Sequence, residues 1–546
     1  MPCPSAHRDT FARDHLPPKE DWPEMDYSVL PELARYPERM NCAALLLDAQ
    51  AARYPDRPVL HYEGTVWTYA ELLDKANRIA HVLTRDLGIV PGNRVLLRAP
   101  NNPMYVACWF AVMKAGAVAV ATMPLYRSRE LVHMVETAKI GVALCDWRLR
   151  EEMEATLEKA PHLRRAVYFG GPGEGSLEAL MAASPPTFAT VDTAADDVCL
   201  IAFTSGTTGP AKGCMHFHRD ILAIGDTFNR HVLKPTKEDV FTGSPPIAFT
   251  FGMGALVTFP MQVGASTVLV EQFTPEKMLE TIARKRISVL FTAPTAYRAM
   301  TPLAPDHDLS SLKKCVSAGE TLPLPIWNGW FEKTGVRIID GIGSTEMLHI
   351  FIACAGDDIR PGATGRPVPG YEAKVVDEAG REVPRGTIGH LAVKGPTGCR
   401  YLDNPERQAA YVAAGWNFTG DSYRQDEDGY FWYQARTDDM IVSAGYNISG
   451  PEVEAVLLDH PKVQECAVVG APDPERGQVV KAYVVARNAA EAGPALAREL
   501  QDYVKAQIAP YKYPRAVEFI AALPRTQTGK VQRFTLREQA RGAAAP

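Results

Sequence analysis

The sequence predicts an α/β fold, in which a large N-terminal domain of stacked α/β subdomains and a small barrel-like β part precede a small C-terminal α+β domain. Over the first four hundred residues, helical stretches alternate with short apolar strands such as "RVLLRA" and "AVAVATM", a pattern typical of parallel sheets. Between 370 and 435 the strands become closely spaced, which indicates an antiparallel sheet or barrel. The chain has 546 residues, too many for one hydrophobic core, and we therefore expect two or more domains.

The apolar segment 105–125 predicts a buried helix followed by a strand rather than a membrane span. Asn102 is a good helix cap, Pro103 suits the first helical position, and Gly116 suits the end of the helix. Lys114 and Gly116 interrupt the apolar run, and β-branched residues follow it. No membrane partner is expected.

The C-terminal part predicts a separate domain of about a hundred residues, which is an ordinary domain size. A helix over 451–460, the strands "QECAVVG" and "QVVKAYVVA", a long helix ending near Ile508 and a strand in "AVEFIAAL" follow one another. We place the boundary in the charged run Thr437–Asp439, which can act as a hinge. The two domains are then 1–437 and 438–546.

Composition and charge exclude several classes of partner. The net charge is −6, so there is no overall basic surface for nucleic acid or anionic membranes. The ten cysteines contain no C-x-x-C pair, which is typical of reduced, packed thiols in a cytosolic protein. The N-terminal stretch is polar and charged, unlike a signal peptide, and we expect a cytoplasmic location.

The stretch "TSGTTGPAKG" at 204–213 has the chemistry of a phosphate-binding loop. Glycines allow backbone N–H groups to turn toward an anion, hydroxyl groups donate hydrogen bonds, and Lys212 supplies positive charge. The spacing differs from the G-x-x-x-x-G-K-[ST] loop of P-loop proteins. The alternative is a flexible surface turn. The candidate ligand residues are Thr204, Ser205, Gly206, Thr207, Thr208, Gly209 and Lys212.

Three further motifs suggest a nucleotide site, each with a simpler alternative. In "DGIGSTEM" (340–347), a carboxylate behind two hydroxyl residues suits Mg²⁺ and phosphate, although a plain turn explains it as well. In "WNFTGDSY" (416–423), Asp421 can accept hydrogen bonds from ribose hydroxyls or can belong to an ordinary turn. In "PRTQTGKVQR" (524–533), Lys530 lies on a glycine-containing loop, where a lysine is often only solvated.

Taken together and in this order, the motifs resemble those of the adenylate-forming superfamily of acyl-CoA ligases, adenylation domains of peptide synthetases and luciferases. The likeness covers nearly the whole chain and includes "SAGETLP" (317–323) and "ARTDDMIVSAGYNISGPEVE" (435–454). Within the superfamily the chain is most similar to aryl-CoA ligases of the benzoate and 2-aminobenzoate (anthranilate) type. The tracts that carry this likeness are "FARDHLPP", "GNRVLLRAPNNP", "DGIGSTEMLHIF", "KGPTGCRYL" and "MIVSAGYNISGPEVE".

The resemblance implies a reaction in two halves that uses ATP, Mg²⁺ and CoA. A carboxylate attacks the α-phosphate of ATP to give an acyl-adenylate and pyrophosphate, and the thiol of CoA then displaces AMP. The loop 204–213 would hold the outer phosphates. The further assignments are Thr345 for the α-phosphate, Glu346 for Mg²⁺, Gly319, Glu320, Asp340 and Gly341 for adenine, Asp421 for ribose, and Arg436 for ribose or phosphate.

The resemblance also implies that the small domain is mobile. Lys530 would reach the reacting oxygens during adenylation, Asp438 would be the hinge, and Gly445 with Tyr446 would line the passage for the pantetheine arm of CoA. A turn between two strands is the alternative role for Gly445. This sequence departs from the family in having Ala435 where a glycine is usual, Ile342 where many relatives have tyrosine, and Val442 where several aryl-CoA ligases have lysine.

The acid pocket is expected near "IAFTFGMG" (247–254) and the end of "DGIGSTEM". Its bulky apolar residues suit a small flat acid better than a long acyl chain. His349 is either a contact for the acid or a core histidine, and these alternatives stay open. The stretch 247–254 has no acidic residue to pair an α-ammonium group, which disfavours amino acids. The candidate acid-binding residues are Phe249, Phe251, Ala318, Ile342, Gly343 and His349.

The sequence therefore predicts an ATP-dependent aryl-CoA ligase, with 2-aminobenzoate as the best substrate candidate. The alternatives are a benzoate- or hydroxybenzoate-CoA ligase, a stand-alone adenylation protein that loads a carrier, a non-catalytic sensor and a luciferase-type oxygenase. A sensor has no need of the transfer lysine Lys530. We expect small-molecule partners (aromatic acid, ATP and CoA) and a monomer or homodimer.

Overall fold

A computed structural model describes residues 4–204, 211–436, 439–443, 446–473, 476–508, 510–526 and 529–542. Within these residues, the strands form four sheets. Two are mainly parallel and belong to the large domain, a third is antiparallel, and the fourth lies in the C-terminal part. The predicted α/β fold with a small α+β C-terminal part is confirmed.

The first parallel sheet leads into the predicted phosphate loop. Five of its strands run parallel, and the sixth, Gly213–Phe217, pairs antiparallel with Val198–Phe203. Loop 204–212 therefore connects two neighbouring strands at one end of this sheet. The strands in spatial order are Arg165–Phe169, Val142–Asp146, Arg94–Arg98, Val118–Thr122, Val198–Phe203 and Gly213–Phe217.

The second sheet has nine strands, and its six central ones are parallel. Strand Ile338–Gly343 forms one boundary of the parallel part, and the chain then enters the motif that contains Glu346. The spatial order is Arg366–Pro367, Ile350–Ala353, Ile338–Gly343, Lys314–Ser317, Val289–Thr292, Val240–Gly243, Ser266–Val268, Pro58–Tyr62 and Thr65–Thr68.

The closely spaced strands after residue 370 form an antiparallel sheet, as the sequence predicts. Its long strand Trp416–Gln425 contains Asp421 and pairs with three others. Its members are Glu372–Val376, Ile388–Lys394, Val412–Ala413, Trp416–Gln425 and Phe431–Arg436. The C-terminal sheet consists of Ile441–Ser443, Tyr446–Ile448, Val463–Asp473, Gly477–Ala486 and Ala516–Phe519.

The helices begin at the caps that local chemistry favours. Thr68 and Glu71 form a capping box, in which the backbone N–H of each residue donates to the side chain of the other. The predicted cap at Asn102 is confirmed, since its side chain accepts the N–H of Tyr105 at 2.9 Å. Gly116 follows that helix with a φ of +67°.

The α-helices of the described residues are Phe11–Asp14, Pro31–Ala34, Ala49–Arg53, Tyr69–His81, Pro103–Lys114, Ser128–Ala138, Arg150–Lys159, Leu177–Ala182, His218–Ile224, Thr250–Met253, Phe259–Val263, Pro275–Lys285, Pro294–Met300, Leu324–Thr334, Pro405–Tyr411, Gly450–Asp459, Pro494–Gln507 and Arg533–Gly542. Wider π-helical turns follow or precede some of them, at Ala44–Asp48, Val82–Asp86, Gly225–Leu233 and Gly254–Thr258. Short 3₁₀ turns lie at Lys19–Asp21, Trp147–Leu149, Ala304–Asp306, Gly356–Asp358, Ala489–Glu491 and Pro510–Lys512. Among the described helices, none has the length and apolar character to span a bilayer.

An N-terminal arm, residues 4–40, ties distant parts of the large domain together. Asp9 pairs with Arg94 at 2.5 Å, beside the first parallel sheet. Further along, the carbonyl of Asp21 accepts the side-chain amide of Gln408 at 2.8 Å, and Glu24 donates its N–H to the carbonyl of Gly415. The arm therefore connects the first parallel sheet to the segment that precedes Asp421.

Candidate active site

The predicted nucleotide-binding residues that the structure describes meet in one cleft between the large and small domains. The cleft has a volume of about 990 Å³ and takes its walls from the ends of several strands and from the C-terminal loop. The predicted residues that line it are Thr204, Lys212, Gly319, Glu320, Asp340, Gly341, Ile342, Gly343, Thr345, Glu346, Asp421, Arg436 and Lys530.

The base of the phosphate-loop candidate is closed by a short hydrogen-bonded pair. The N–H of Thr204 donates to the carbonyl of Lys212 at 2.9 Å, and the N–H of Lys212 donates to the hydroxyl of Thr204 at 3.2 Å. Burial and the nearby Arg407 lower the pKa of Lys212, while Glu346 acts in the opposite direction. The candidates Ser205, Gly206, Thr207, Thr208 and Gly209 lie outside the described residues.

Glu346, the metal-ligand candidate, is oriented by a buried tyrosine. Tyr401 is 2% exposed, and its hydroxyl donates to Oε1 of Glu346 at 2.5 Å. Because a hydrogen bond to a charged acceptor is strong and directional, Tyr401 fixes the direction in which the carboxylate faces the cleft. Tyr401 lines the cleft as well.

The backbone at Thr345 is held from behind by a buried polar chain. The Nε2–H of His216 donates to the carbonyl of Thr345 at 2.9 Å. Nδ1 of His216 lies 3.9 Å from the carboxylate of Asp220, which also pairs with Arg400. All three supporting side chains are fully buried, so the Thr345 turn rests on groups that solvent does not screen.

Asp340 is half-buried at the inner side of the cleft, at the end of the second parallel sheet, with its Oδ1 atom shielded from solvent. Its Oδ1 has no hydrogen-bond partner among the described residues. Burial raises the pKa of Asp340 to about 8, although the backbone of Gly341 partly offsets the effect. An unpaired acceptor beside an open cleft can accept an N–H of a bound base.

Asp421 and Arg436 face each other across two antiparallel strands. Arg436 Nη1 lies 3.1 Å from Oδ1 of Asp421 and also donates to the carbonyl of Thr419. The negative charge of Asp421 raises the pKa of Arg436 above its ordinary value. Gly420 has a φ of +75°, and a Cβ there would lie 3.1 Å from Nη2 of Arg436. The glycine therefore makes room for the guanidinium.

Lys530 enters the cleft beside Gly319 and Glu320. A Cβ at Gly319, where φ is +88°, would lie 4.0 Å from Cε of Lys530. Burial lowers the pKa of Lys530, while Glu320, Asp421 and Glu346 favour the charged form. Burial raises the pKa of Glu320, against the pull of Lys530 and nearby arginines. The small domain is thus docked with its lysine among the acidic groups of the large domain.

The acid-pocket candidates divide into two groups. Ile342 and Gly343 line the cleft, whereas Phe251, Ala318 and His349 pack in or against the main hydrophobic core of the large domain. Phe249 is half-buried, immediately before the helix Thr250–Met253. The ring of His349 lies 4.5 Å from that of Phe259 and 5.7 Å from that of Phe251, measured between centroids.

His349 is an uncharged part of an aromatic cluster. It is 2% exposed, and burial lowers its pKa to about 3, with the backbone of Phe251 acting against the shift. Neither ring nitrogen makes a hydrogen bond of normal geometry with the described residues. Without a bound ligand, the imidazole is therefore neutral at neutral pH.

The positions implied for CoA and for the hinge are described only in part. Asp438 and Gly445 lie outside the described residues. Tyr446 begins the strand Tyr446–Ile448, and nothing is described of its side chain. Their roles stay predictions.

A buried cluster away from the cleft groups side chains with metal-ligand chemistry. Ligand atoms of Cys42, Cys199 and His218 lie within 4.8 Å of one another. However, Nδ1 of His218 already accepts the backbone N–H of Cys42 at 3.2 Å. The Nδ1 lone pair is therefore already used in a hydrogen bond, whereas Nε2 of His218 has no partner among the described residues.

Two supporting residues, Tyr401 and His216, were not predicted. Tyr401 is part of the tract "KGPTGCRYL", whose likeness to relatives marks the segment but not the contact with Glu346. His216 lies on a strand that reads only as apolar. No local pattern indicates that it holds a carbonyl 129 residues away.

The comparisons with known proteins agree with this geometry. The family model of the AMP-binding enzymes matches residues 47–400, and the model of the AMP-binding enzyme C-terminal domain matches residues 452–530. Benzoate–CoA ligase of Thauera aromatica is 36% identical over 518 residues, which are 94% of this chain and 98% of that protein.

Two solved structures are similar over nearly their full length. The anthranilate CoA ligase AuaEII in complex with anthranoyl-AMP matches with a TM-score of 0.89 and 36% identity, covering 94% of this chain and 99% of that one. A benzoate CoA ligase from Burkholderia xenovorans LB400 matches with a TM-score of 0.83 and 32% identity, covering 91% and 100%. The chain therefore belongs to the adenylate-forming AMP-binding enzymes, within the acyl- and aryl-CoA ligases.

Proposed function

We propose that this enzyme activates an aromatic carboxylic acid, with 2-aminobenzoate as the best candidate, and joins it to CoA. ATP and the acid give an aryl-adenylate and pyrophosphate, and the CoA thiol then displaces AMP to form the thioester. The observation that carries the proposal is the position of Lys530 in the same cleft as Glu346 and Asp421.

The polar groups of the cleft divide the work of the first half-reaction. Lys212, within the loop 204–213, would bind the outer phosphates, and Asp421 would bind the ribose hydroxyls. Lys530 brings a positive charge to the point where the carboxylate and the α-phosphate, both anionic, must approach. A preorganised charge at this point stabilises the transition state strongly.

The residues at the cleft also fit a magnesium ion. Magnesium takes one or two protein carboxylates and completes its shell with phosphate oxygens and water. Glu346 is a carboxylate on the cleft wall, oriented by Tyr401 and adjacent to Thr345. When bound, the ion would neutralise phosphate charge.

The aromatic character of the acid is supported by the groups behind Ile342. The rings of Phe251, Phe259 and His349 form a compact, uncharged cluster. A flat aromatic ring suits such surroundings. An aniline-type amine is neutral at pH 7, so its burial does not carry the cost of burying an unpaired charge. The similarity to the anthranilate CoA ligase solved with anthranoyl-AMP, at 36% identity, supports the 2-amino substituent.

The test is a panel of acids, each offered with ATP, Mg²⁺ and CoA and scored by AMP release. We expect 2-aminobenzoate, benzoate and 2-hydroxybenzoate to exceed hexanoate, with 2-aminobenzoate giving the highest kcat/KM. A preference for hexanoate would contradict an aryl-acid pocket. A preference for benzoate would retain the aryl-CoA ligase and overturn the 2-amino substituent.

The acceptor needs its own measurement. If CoA is the acceptor, free CoA will discharge preformed aryl-adenylate and yield a thioester detectable by mass. A protein that loads a carrier will form the adenylate but leave it unchanged in free CoA. A non-catalytic sensor will bind nucleotide and release no pyrophosphate with any acid.

A further inference from the structure

A chain of charged groups connects a helix of the large domain to the loop that carries Lys530. Arg298 lies on the helix Pro294–Met300. Its Nη2 pairs with Oε1 of Glu465 on a strand of the small domain, and its Nη1 donates to the carbonyl of Gln464 at 3.1 Å. One guanidinium thus holds a side chain and a backbone carbonyl across the domain boundary.

The chain continues from Glu465 into the catalytic loop. Oε2 of Glu465 lies 3.2 Å from Nη2 of Arg525, whose Nη1 donates to the carbonyl of Gly529 at 2.7 Å. That carbonyl belongs to the peptide group whose N–H is that of Lys530. Arg525 also pairs with Val531 in an antiparallel bridge, so the loop is clamped on both sides of the lysine.

The surroundings allow these charges to interact strongly. The side chains of Arg298, Glu465 and Arg525 are 31%, 20% and 28% exposed, and all three line the cleft. Burial alone would raise the pKa of Glu465, but Arg298 and Arg525 outweigh it and hold the pKa below its ordinary value. The carboxylate is therefore ionised between two guanidinium groups.

We propose that Arg298 is a positioning residue for adenylation, which sets the Lys530 loop through Glu465, Arg525 and the carbonyl of Gly529. The proposal rests on the proposed function, because it concerns the half-reaction in which Lys530 acts. We call this chain of four groups the Arg298 relay.

The Arg298 relay is specific to one domain orientation, since its first link crosses between domains and the others lie within the small domain. When the relay is broken, Lys530 is still present but is held less accurately in the cleft. A displacement of about 1 Å at a reacting group can cost about 100-fold in rate. The second half-reaction does not need Lys530 in the cleft, and the relay therefore affects the two halves unequally.

The experiment compares both half-reactions in Arg298→Ala, Arg298→Lys, Glu465→Gln and the double variant Arg298→Ala/Glu465→Gln. Adenylation is measured as acid-dependent exchange of pyrophosphate into ATP, and transfer as thioester formation from supplied aryl-adenylate and CoA. We expect Arg298→Ala to slow exchange about 10- to 100-fold and to leave transfer within about twofold.

The other variants distinguish a loss of Lys530 positioning from general damage to the protein. Arg298→Lys keeps the charge but loses the two-pronged contact, and it should recover part of the exchange rate. Because the residues act in one chain, the double variant should be little worse than the more impaired single variant. Arg337→Ala, which removes another ion-paired arginine of the large domain, is the matched control and should match the unaltered enzyme in both assays.

The outcomes distinguish failure of the relay from failure of the proposed function. If the unaltered enzyme shows no exchange with any acid in the panel, the proposed function fails. If it is active but Arg298→Ala and Glu465→Gln change neither half-reaction, or slow both equally, the relay is wrong. A thermal unfolding curve for each variant shows whether the protein is folded. If Arg298→Ala does not fold, the conservative variant Arg298→Lys provides the same test of the relay.

Discussion

The hydroxyl of Tyr401 donates a 2.5 Å hydrogen bond to Glu346, 55 residues earlier in the chain. The tyrosine lies between two strands of the antiparallel sheet, Ile388–Lys394 and Val412–Ala413, whereas the glutamate follows the strand Ile338–Gly343 of the second sheet. The proposed magnesium ligand is therefore oriented from a different subdomain, so its direction depends on how the two are packed.

Replacement of Tyr401 with phenylalanine should weaken magnesium dependence without removing activity. The ring keeps its packing while Glu346 loses a hydrogen bond to a charged group, worth about 1.5 kcal/mol or about tenfold in affinity. A Mg²⁺ titration at saturating ATP measures the shift. Tyr430→Phe, which removes a hydroxyl bonded to the carbonyl of Asp358, is the control. Equal shifts in both variants would contradict the role of Tyr401.

Replacement of Lys530 with alanine should abolish adenylation and spare transfer. Removal of one preorganised donor from an active site costs on the order of 10²–10³ in rate. Acid-dependent pyrophosphate exchange should fall by that factor, whereas CoA should still discharge supplied aryl-adenylate. Normal exchange in this variant would show that Lys530 has no part in the chemistry.

Asp340 should make the stability of the protein fall with rising pH. Its folded pKa of about 8 lies above its ordinary value of 3.8, so the folded state retains a proton that the unfolded chain has released. This contribution to stability is fully present below the ordinary pKa and is lost as the pH rises through the folded one. An asparagine side chain in place of Asp340 is isosteric with the protonated acid and has no such dependence.

The corresponding measurement compares Tm at pH 5 and pH 8 for the unaltered protein and Asp340→Asn. Between pH 5 and pH 8, the Tm of Asp340→Asn should fall less than the Tm of the unaltered protein. Saturating ATP should raise Tm in both proteins, because an asparagine carbonyl can still accept an N–H from a base. An equal change of Tm between the two pH values in both proteins would mean that Asp340 is ionised in the folded state.

Gly254→Ala should disturb the aromatic cluster of Phe251, Phe259 and His349, next to the proposed acid pocket. A Cβ at Gly254 would lie 2.4 Å from Cδ2 of His349, so the imidazole must move. Overpacking of this kind costs about 1–3 kcal/mol, and we expect a lower free energy of unfolding and a raised KM for the acid with little change in KM for ATP.

The matched control for this change is Gly329→Ala, in the helix Leu324–Thr334. There the nearest atom to a new Cβ is a methyl group of Thr301 at 3.5 Å, an ordinary contact. Alanine is the better helix former by about 1 kcal/mol, so stability should hold or rise. A raised KM for the acid in this control as well would argue against a specific effect at His349.

Local chemistry made much of the fold predictable. Asn102, Pro103 and Gly116 mark a helix by residue type alone, and strand alternation with helices indicates parallel sheets. The same holds for Thr204 and Lys212, which flank a glycine-rich loop and meet across it. In these places the determining contacts lie within a few residues.

The remainder depends on contacts that sequence spacing does not encode. The chain has twenty tyrosines, and nothing in the sequence near Tyr401 indicates that its hydroxyl donates to Glu346. Arg298 and Glu465 are 167 residues apart, and each alone reads as surface charge. The sequence leaves two roles open for His349, because burial decides whether its imidazole is protonated. The rings that bury it come from three other segments of the chain.

The N-terminal arm has a consequence for the order of events during synthesis. Its hydrogen bond from Gln408 spans 387 residues, and its contact between Met25 and Arg400 spans 375. At about 5–20 residues per second, the first forty residues wait roughly 20–80 s on the ribosome before those partners emerge. Throughout that interval the part of the arm around Asp21 and Met25 lacks these partners, although Asp9 can already pair with Arg94. The large domain can therefore close around the arm only late in translation.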